Sequence, residues 1–239
     1  MINKFTGLVR RCVEDYDMIS DGESIAIGVS GGKDSLSLLC AMANLRGFYP
    51  KRFDLHAVTL DMGFGPSDFS TIGELCRELG VPHTLRRTDM AHVIFQERRE
   101  KNPCALCSKM RRGALNDMIK ELGIKKIALA HSFDDAVETF LLSLLYEGRI
   151  NCFKPVMYMD RSDVTQIRPM LYAAEETVIN LVKNQGLKIV PNPCPMNGVS
   201  KREEVKELLV TLGMSYPALK NKIFGAMQRL PLEGWGAGG

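Results

Sequence analysis

The run Ser24-Ile25-Ala26-Ile27-Gly28-Val29 is apolar and short. It feeds directly into Ser30-Gly31-Gly32-Lys33-Asp34-Ser35, and from Asp34 to about Leu45 the apolar positions recur at helical spacing. A strand, a glycine turn and a helix start in that order constrain the fold more than any other feature. Glycines let the backbone approach phosphate oxygens, and a helix start offers unpaired N–H groups at the positive end of its dipole. Lys33 adds a point charge, and the Ser30 and Ser35 hydroxyls add donors. The loop therefore reads as a phosphate cradle rather than an ordinary turn. It is not the nucleoside-triphosphate loop G-x-x-x-x-G-K-S/T, because Ile27 stands five positions before Gly32 and Asp34 follows Lys33. It is not the dinucleotide pattern G-x-G-x-x-G either, because Ser30 stands two places after Gly28.

The same alternation of strand and helix patterns continues along the chain. Residues 2–18 read as an amphipathic helix, 53–61 as a strand, 70–80 as a helix and 82–89 as a strand. Residues 90–101 and 104–123 read as helices, 125–131 as a strand and 134–148 as a helix. A hairpin is expected over 156–169, turning at Asp160 to Asp163, then a helix over 174–186 and a last strand over 187–193. Ser200 and Glu203 form a capping box for a helix reaching Gly213, another helix follows Ser215, and the Gly-rich tail is expected to be disordered. The pattern predicts an α/β fold, a parallel sheet with helices on both faces. Ligands of such sheets bind at the carboxyl ends of the strands. The expected organisation is an N-terminal helix over 1–20, an α/β domain over 21–195, C-terminal helices over 196–230 and a tail over 231–239. No apolar run reaches the length of a membrane span, and the N-terminus lacks a secretory pattern, so a cytoplasmic location is expected. A net charge of +3 permits nucleic-acid binding without arguing for it.

The chain has seven cysteines, an odd count that argues against a disulfide framework. Cys12, Cys40 and Cys76 fall inside helical patterns and read as small buried hydrophobes. Cys104 and Cys107 open a helix, where thiolate is favoured, and Cys194 lies in a loop after the expected last strand. A lone C-x-x-C is open to redox, metal-binding or purely structural readings. Three thiolates and one open position suit a 4Fe–4S cluster with a reactive iron.

The segment SGGKDS resembles the loop of the N-type ATP pyrophosphatases, which cleave ATP between the α- and β-phosphates and activate a carbonyl oxygen as its adenylate. NPCALCSKMRRGAL, KIALAHSFDDAVETFLLSLLYEG, QIRPMLYAAEETV and IVPNPCP, in that order, resemble the tRNA 2-thiocytidine synthetase family from about residue 20 to FGAMQRL. The resemblance implies a Rossmann-like, adenine nucleotide alpha hydrolase-like sheet. It implies that Ser30, Gly31, Gly32, Lys33, Asp34 and Ser35 hold pyrophosphate, with Asp34 close to Mg²⁺. Ala26, Ile27 and Gly28 would lie near the nucleotide. Cys104, Cys107 and Cys194 would hold the cluster, with Asn197 standing where many members have a further cysteine, and Lys33, Asp61, Cys107 and Cys194 would take part in catalysis. His131 and Asp135 match a segment of the ATP site, with Asp135 a second candidate for Mg²⁺, and Asp61 an acidic strand end beside the adenosine. On the residues alone, Asp135 also reads as a helix-dipole partner and Asp61 as a turn carboxylate. Arg111, Arg112 and Arg168 are candidates for RNA contact. The implied activity is ATP-dependent replacement of a pyrimidine C2 oxygen in tRNA, favouring cytidine of the anticodon loop, with sulfur. A cysteine desulfurase or free sulfide would donate the sulfur, and a homodimer is the family's expectation. Two rivals stand beside this: a thiolase of the thiouridine type using a cysteine persulfide without a cluster, and a non-catalytic nucleotide- or metal-binding module.

Overall fold

The computed structural model describes residues 2–65, 67–98, 102–196, 198 and 201–230. The strands are β1 (Glu23–Gly28), β2 (Phe53–Asp61), β3 (His83–Arg87), β4 (Lys126–Ala128), β5 (Val156–Met159) and β6 (Val164–Ile167). They form one sheet in the order β3-β2-β1-β4-β6-β5. Every neighbouring pair is parallel except β5 with β6, the expected hairpin. From β1 the chain builds outward through β2 and β3, then returns to lay β4 on the other side of β1. The order therefore reverses between β1 and β4, and a crevice opens there at the carboxyl ends of both strands.

The helices are α1 (Ile2–Asp15), α2 (Lys33–Arg46), α3 (Ser70–Glu78), α4 (Met90–His92), α5 (Pro103–Glu121), α6 (Phe133–Leu142), α7 (Glu175–Gln185), α8 (Lys201–Ser215) and α9 (Leu219–Arg229). Helix α2 is apolar nearly all round, with Leu36, Leu38, Leu39, Met42 and Leu45 buried, because it lies between the sheet and α1 and α7. The opposite face carries a smaller core in which Met118 and Ile119 of α5 cover Ala26, Val58, Ile127 and Val164. Each such side chain taken fully from water contributes about 1.5–3 kcal/mol. Cys12, Cys40 and Cys76 are buried, as their helical positions imply.

Three expectations about the elements need correction. Residues 187–193 form no strand. Pro191 and Pro193 cannot donate to a sheet ladder. Val190 instead donates its N–H to the Gly31 carbonyl at 3.0 Å. The helix expected over 134–148 ends its regular turns at Leu142 and continues as a π-helical turn, Ser143–Glu147, closed by Gly148 in the left-handed region. The helix expected over 90–101 is α4 followed by a second π turn, Val93–Glu97. Ser200 of the expected capping box, Asn197 and the tail 231–239 lie outside the described residues.

Candidate functional site

The phosphate loop spans the end of β1 and the start of α2. Gly31 sits at φ +84°, a conformation that L side chains rarely adopt, and Gly32 occupies the N-cap. The Ser35 hydroxyl braces the turn. It accepts from the Ser30 N–H at 3.1 Å and donates to the Gly32 carbonyl at 3.0 Å, while the Ser30 hydroxyl accepts from the Gly32 N–H at 3.4 Å. The ammonium of Lys33 lies 2.8 Å from Asp34 and 3.0 Å from Glu175, the first residue of α7. Burial works to lower the Lys33 pKa, but the two carboxylates outweigh it and the group is held cationic. Asp34 is shifted upward, first by burial and then by the charges of Asp135 and Glu175, which together exceed the pull of Lys33. Lys33 thus sits between two carboxylates, Asp34 and Glu175. The side chains of Ala26 and Ile27 are fully buried, in the cores on opposite faces of the sheet, because strand residues alternate sides. Gly28 is the residue of β1 at the rim, packed so closely against β4 that a Cβ there would meet the Leu129 side chain at 3.0 Å.

Across the switch point, Leu129-Ala130-His131 follows β4 and leads into α6. Ser132 caps α6 by accepting from the Asp135 N–H at 3.2 Å. One Asp135 carboxylate oxygen accepts from the Ser132 N–H at 2.9 Å and its hydroxyl at 3.0 Å. The other oxygen accepts from Arg202 of α8 at 3.2 Å. Arg202 also pairs with Glu138 at 3.0 Å and donates to the Thr139 hydroxyl at 3.1 Å. Glu138 has a side chain only 3% exposed, so Arg202 neutralises a carboxylate that water cannot reach. Removing one partner of such a pair typically costs about 3–5 kcal/mol. Lys220 of α9 makes a similar contact with Asp134 at 2.6 Å, and the other Asp134 oxygen accepts from the Glu175 N–H at 2.7 Å. Asp134, Asp135 and Glu138 therefore bind the C-terminal helices to α6.

His131 packs its ring on Phe153, with centroids 4.7 Å apart, and its Nδ1 is sealed from solvent without a hydrogen-bond partner. Burial, with help from the Arg168 charge, pushes its pKa down to about 4. The imidazole is therefore neutral in the folded protein at pH 5–6, whereas the unfolded chain takes up a proton below about 6.5. Between these values the unfolded state binds more protons, so stability falls as pH is lowered, by at most about 1.4 kcal/mol per unit. Thermal melting followed from pH 7 to 4 is expected to show a shallower decline for His131→Asn than for the wild type. Parallel curves would remove His131 as a source of the slope.

Cys104 is exposed in the first turn of α5, whereas Cys107 and Cys194 are half-buried. Burial raises the Cys107 pKa, Arg111 opposes that, and the thiols of Cys194 and Cys104 push it further up. Both other thiols thus act on Cys107, although 87 residues separate Cys107 from Cys194 in the sequence. Among the described residues no three of His, Cys, Asp or Glu are already gathered at metal-binding distance, so the thiols share a region without closing on one point. Three soft, accessible sulfurs nevertheless form a donor set that fits an iron–sulfur cluster and not a hard cation. Arg111 is exposed, one turn beyond Cys107, and its charge reaches His131 as well. Arg112 is exposed with no described contact to this group.

Asp61 ends β2, where one carboxylate oxygen accepts from the Gly63 N–H at 2.9 Å. With Gly65, Ser67, Asp68 and Arg87 it lines an open recess of about 530 Å³. Arg168 is only 4% exposed. It bonds the Lys154 carbonyl and Gln166, stacks over Phe153 at 4.9 Å, and is shifted down to about 10 by burial. The guanidinium and the His131 ring thus pack on the same Phe153. Sequence patterns did not single out Glu175, Val190, Arg202 or Lys220. The acidic start of α7 was the one local signal among them.

The PP-loop domain family matches residues 3–210. A tRNA-cytidine(32) 2-sulfurtransferase of Geobacter sulfurreducens is 36% identical over 94% of this chain and 88% of its own. One from Syntrophotalea carbinolica is 37% identical over 95% of this chain and 87% of its own. In structure, the U34-tRNA thiolase NcsA from Methanococcus maripaludis with its 4Fe–4S cluster superposes with a TM-score of 0.79, at 24% identity, covering 96% of this chain and 78% of the thiolase. That likeness supports the fold. Identity above 30% over nearly the whole of both chains reaches further, and this chain belongs to the PP-loop family and, within it, to the tRNA-cytidine(32) 2-sulfurtransferases.

Proposed function

We propose that this chain replaces the C2 oxygen of a tRNA pyrimidine with sulfur at the expense of ATP, with cytidine of the anticodon loop as the target. The observation that carries the reading is a link between two sites. The segment leading to Cys194 is hydrogen-bonded to the phosphate loop through Val190 and Gly31, and Cys194 lies within electrostatic reach of Cys107. A phosphate cradle and a thiol patch are thereby joined around one crevice.

The pyrimidine C2 oxygen attacks the α-phosphorus of ATP, and pyrophosphate leaves. Lys33 and the N–H groups of the Gly31–Lys33 turn hold the charge that gathers on that leaving group. Asp34 and Asp135 are the carboxylates to hold Mg²⁺, a cation that takes one or two carboxylates, phosphate oxygens and water, and whose charge offsets that of the phosphates. Asp61 and Gly28 border the space for the adenosine. His131, kept neutral, holds the target base without adding a charge that the adenylated ring would repel. A sulfur nucleophile then attacks C2, the C–O bond breaks, and the oxygen departs within AMP. Cys104, Cys107 and Cys194 are the residues to hold a 4Fe–4S cluster, which when bound supplies thiophilic iron for sulfide. Exposed Arg111 and Arg112 face incoming tRNA phosphates. The sulfur comes either from free sulfide or from a cysteine desulfurase, whose persulfide gives up its outer sulfur with two electrons from a thiol reductant, and pairing of two copies of the chain is part of the same reading.

The open spacing of the thiols favours one alternative, in which the Cys107 thiolate takes the outer sulfur of a cysteine desulfurase's persulfide, that sulfur attacks C2 as AMP leaves, and Cys194 then forms a disulfide with Cys107 to release the thiolated base. Anaerobic reconstitution separates the two, since about four irons and matching acid-labile sulfide per chain are expected with a cluster and none without. Nucleoside mass spectrometry of tRNA from a deletion strain is expected to show loss of one thiolated pyrimidine, and an unchanged profile would refute the function. In vitro, Cys104→Ser, Cys107→Ser and Cys194→Ser are each expected to lower thiolated product at least ~100-fold, beyond what changes around a metal ligand cost. Pyrophosphate exchange in the same variants should stay near the wild-type rate, because the phosphate loop is untouched.

A further inference from the structure

Lys33 is the one side-chain cation of the phosphate loop, and Glu175 reaches it from a distant part of the chain. The Glu175 carboxylate lies 3.0 Å from the Lys33 ammonium, and that of Asp34 lies 2.8 Å from it. An ammonium has three N–H donors and no acceptor. The two carboxylates therefore draw on the same donors with which Lys33 would meet phosphate oxygens.

Glu175 differs from Asp34 in how it is held. Asp34 is the next residue to Lys33 and pairs with it locally. Glu175 belongs to another element, α7, and its main chain is pinned there. Its N–H donates to Asp134 at 2.7 Å, and Asp134 is fixed in turn by Lys220 at 2.6 Å. The Glu175 and Lys33 side chains are 38% and 30% exposed, so solvent screens the pair between them. The carboxylate can thus leave Lys33 by side-chain rotation while the start of α7 stays in place. It also has a second favourable position to turn to. Glu175 and Glu176 lie in the first turn of α7, at the positive end of that helix dipole.

We propose that Glu175 competes with pyrophosphate for the Lys33 ammonium. It is a positioning residue that acts through Lys33, and it loosens the hold of the loop so that pyrophosphate is released instead of retained. This rests on the phosphate-loop part of the function proposed above, and the sulfur chemistry does not enter it.

Titration calorimetry of the full chain with Mg²⁺ and inorganic pyrophosphate tests the competition. Gln keeps the size of Glu and the main-chain bond to Asp134. Glu175→Gln is therefore expected to melt near the wild-type temperature and to bind pyrophosphate about 5-fold more tightly, the scale of one screened ion pair. Inhibition of AMP formation by pyrophosphate should set in at a correspondingly lower concentration. KM for ATP should fall, with kcat no higher than in the wild type. A purely structural role in supporting α7 would not tighten binding. The gain should also vanish once Lys33 is replaced, so that Lys33→Met and Lys33→Met with Glu175→Gln bind pyrophosphate alike to within about twofold. Unchanged or weaker binding in folded Glu175→Gln overturns the proposal. An equal gain in the Lys33→Met background overturns it too, because the effect would then be one of net charge. If Glu175→Gln does not fold, Glu175→Asp, with its shorter reach to Lys33, should bind more tightly, and unchanged or weaker binding there is the overturning result. A wild type that binds no pyrophosphate overturns both the proposal and the reading of the loop. A wild type that binds it, with variants that bind it no better, counts against Glu175 alone.

Discussion

Replacing Lys33 with Ala is expected to lower ATP–pyrophosphate exchange by about 10²–10³-fold, the usual loss when a donor to transition-state charge is removed. The reason lies in the surroundings of the side chain. Lys33 stands between Asp34 and Glu175, with Asp135 near enough to raise the Asp34 pKa. Without the ammonium, Asp34 and Glu175 stand unpaired beside the place where pyrophosphate must accumulate negative charge, and a missing attraction becomes a repulsion. Lys33→Met keeps most of the stem and should lose as much as Lys33→Ala. Lys33→Arg restores charge with a different geometry and should recover only part. Thiolated product should fall in step with exchange, since the adenylate precedes sulfur. Exchange retained within a few-fold in Lys33→Met would mean that the loop does not hold the leaving group.

A second large effect is expected from a single methyl group. Gly31→Ala places a Cβ 2.7 Å from both Cβ and Cγ2 of Val190 and 3.3 Å from Ile72, at a residue with φ +84°. The left-handed backbone alone costs about 1–2 kcal/mol for a residue with a side chain. The overlap cannot be relieved by a flexible tip, because the atoms met first include the Val190 Cβ. The loop and the Val190 segment must part, and the bond from Val190 to the Gly31 carbonyl goes with them. A combined loss of about 2 kcal/mol or more corresponds to a melting shift of about 4–8 °C in a chain of this size. Exchange should decline with it. Adding Val190→Gly removes the overlap but not the backbone strain, so it should return part of the stability. If the second substitution restores nothing, the steric account is wrong.

Local chemistry was well marked in the chain. Strand β2 has the expected limits, Phe53–Asp61, because its alternation is closed by a carboxylate that turns the chain through Gly63. The phosphate loop was legible because each part of it, from the Gly31 conformation to the Gly32 N-cap, is a property of neighbouring residues. Residues 187–193 misled because an apolar alternation shows that side chains will be buried without saying whether a sheet has room for the backbone. Here β3 and β5 close the two edges, and Val190 is spent on the phosphate loop. The burial of Arg168 was not legible for the opposite reason. A guanidinium at a strand end reads as a surface cation, and its enclosure by Phe153, Lys154 and Gln166 depends on a hairpin that brings another segment over it.

The sequence by itself determined an α/β chain with a phosphate loop, a capped helix after His131 and three thiols set apart from four others. These follow from spacing, caps and glycines acting over a few residues, where backbone geometry decides. Only the tertiary structure decided which charges meet. Glu175 reaches Lys33, Arg202 reaches Asp135 and Glu138, and Lys220 reaches Asp134, across separations of 64 to 142 residues in the chain. A charged side chain carries no mark of its partner. The partner is set by the reversal of strand order between β1 and β4, which brings α2, α6, α7 and the C-terminal helices to one end of the sheet.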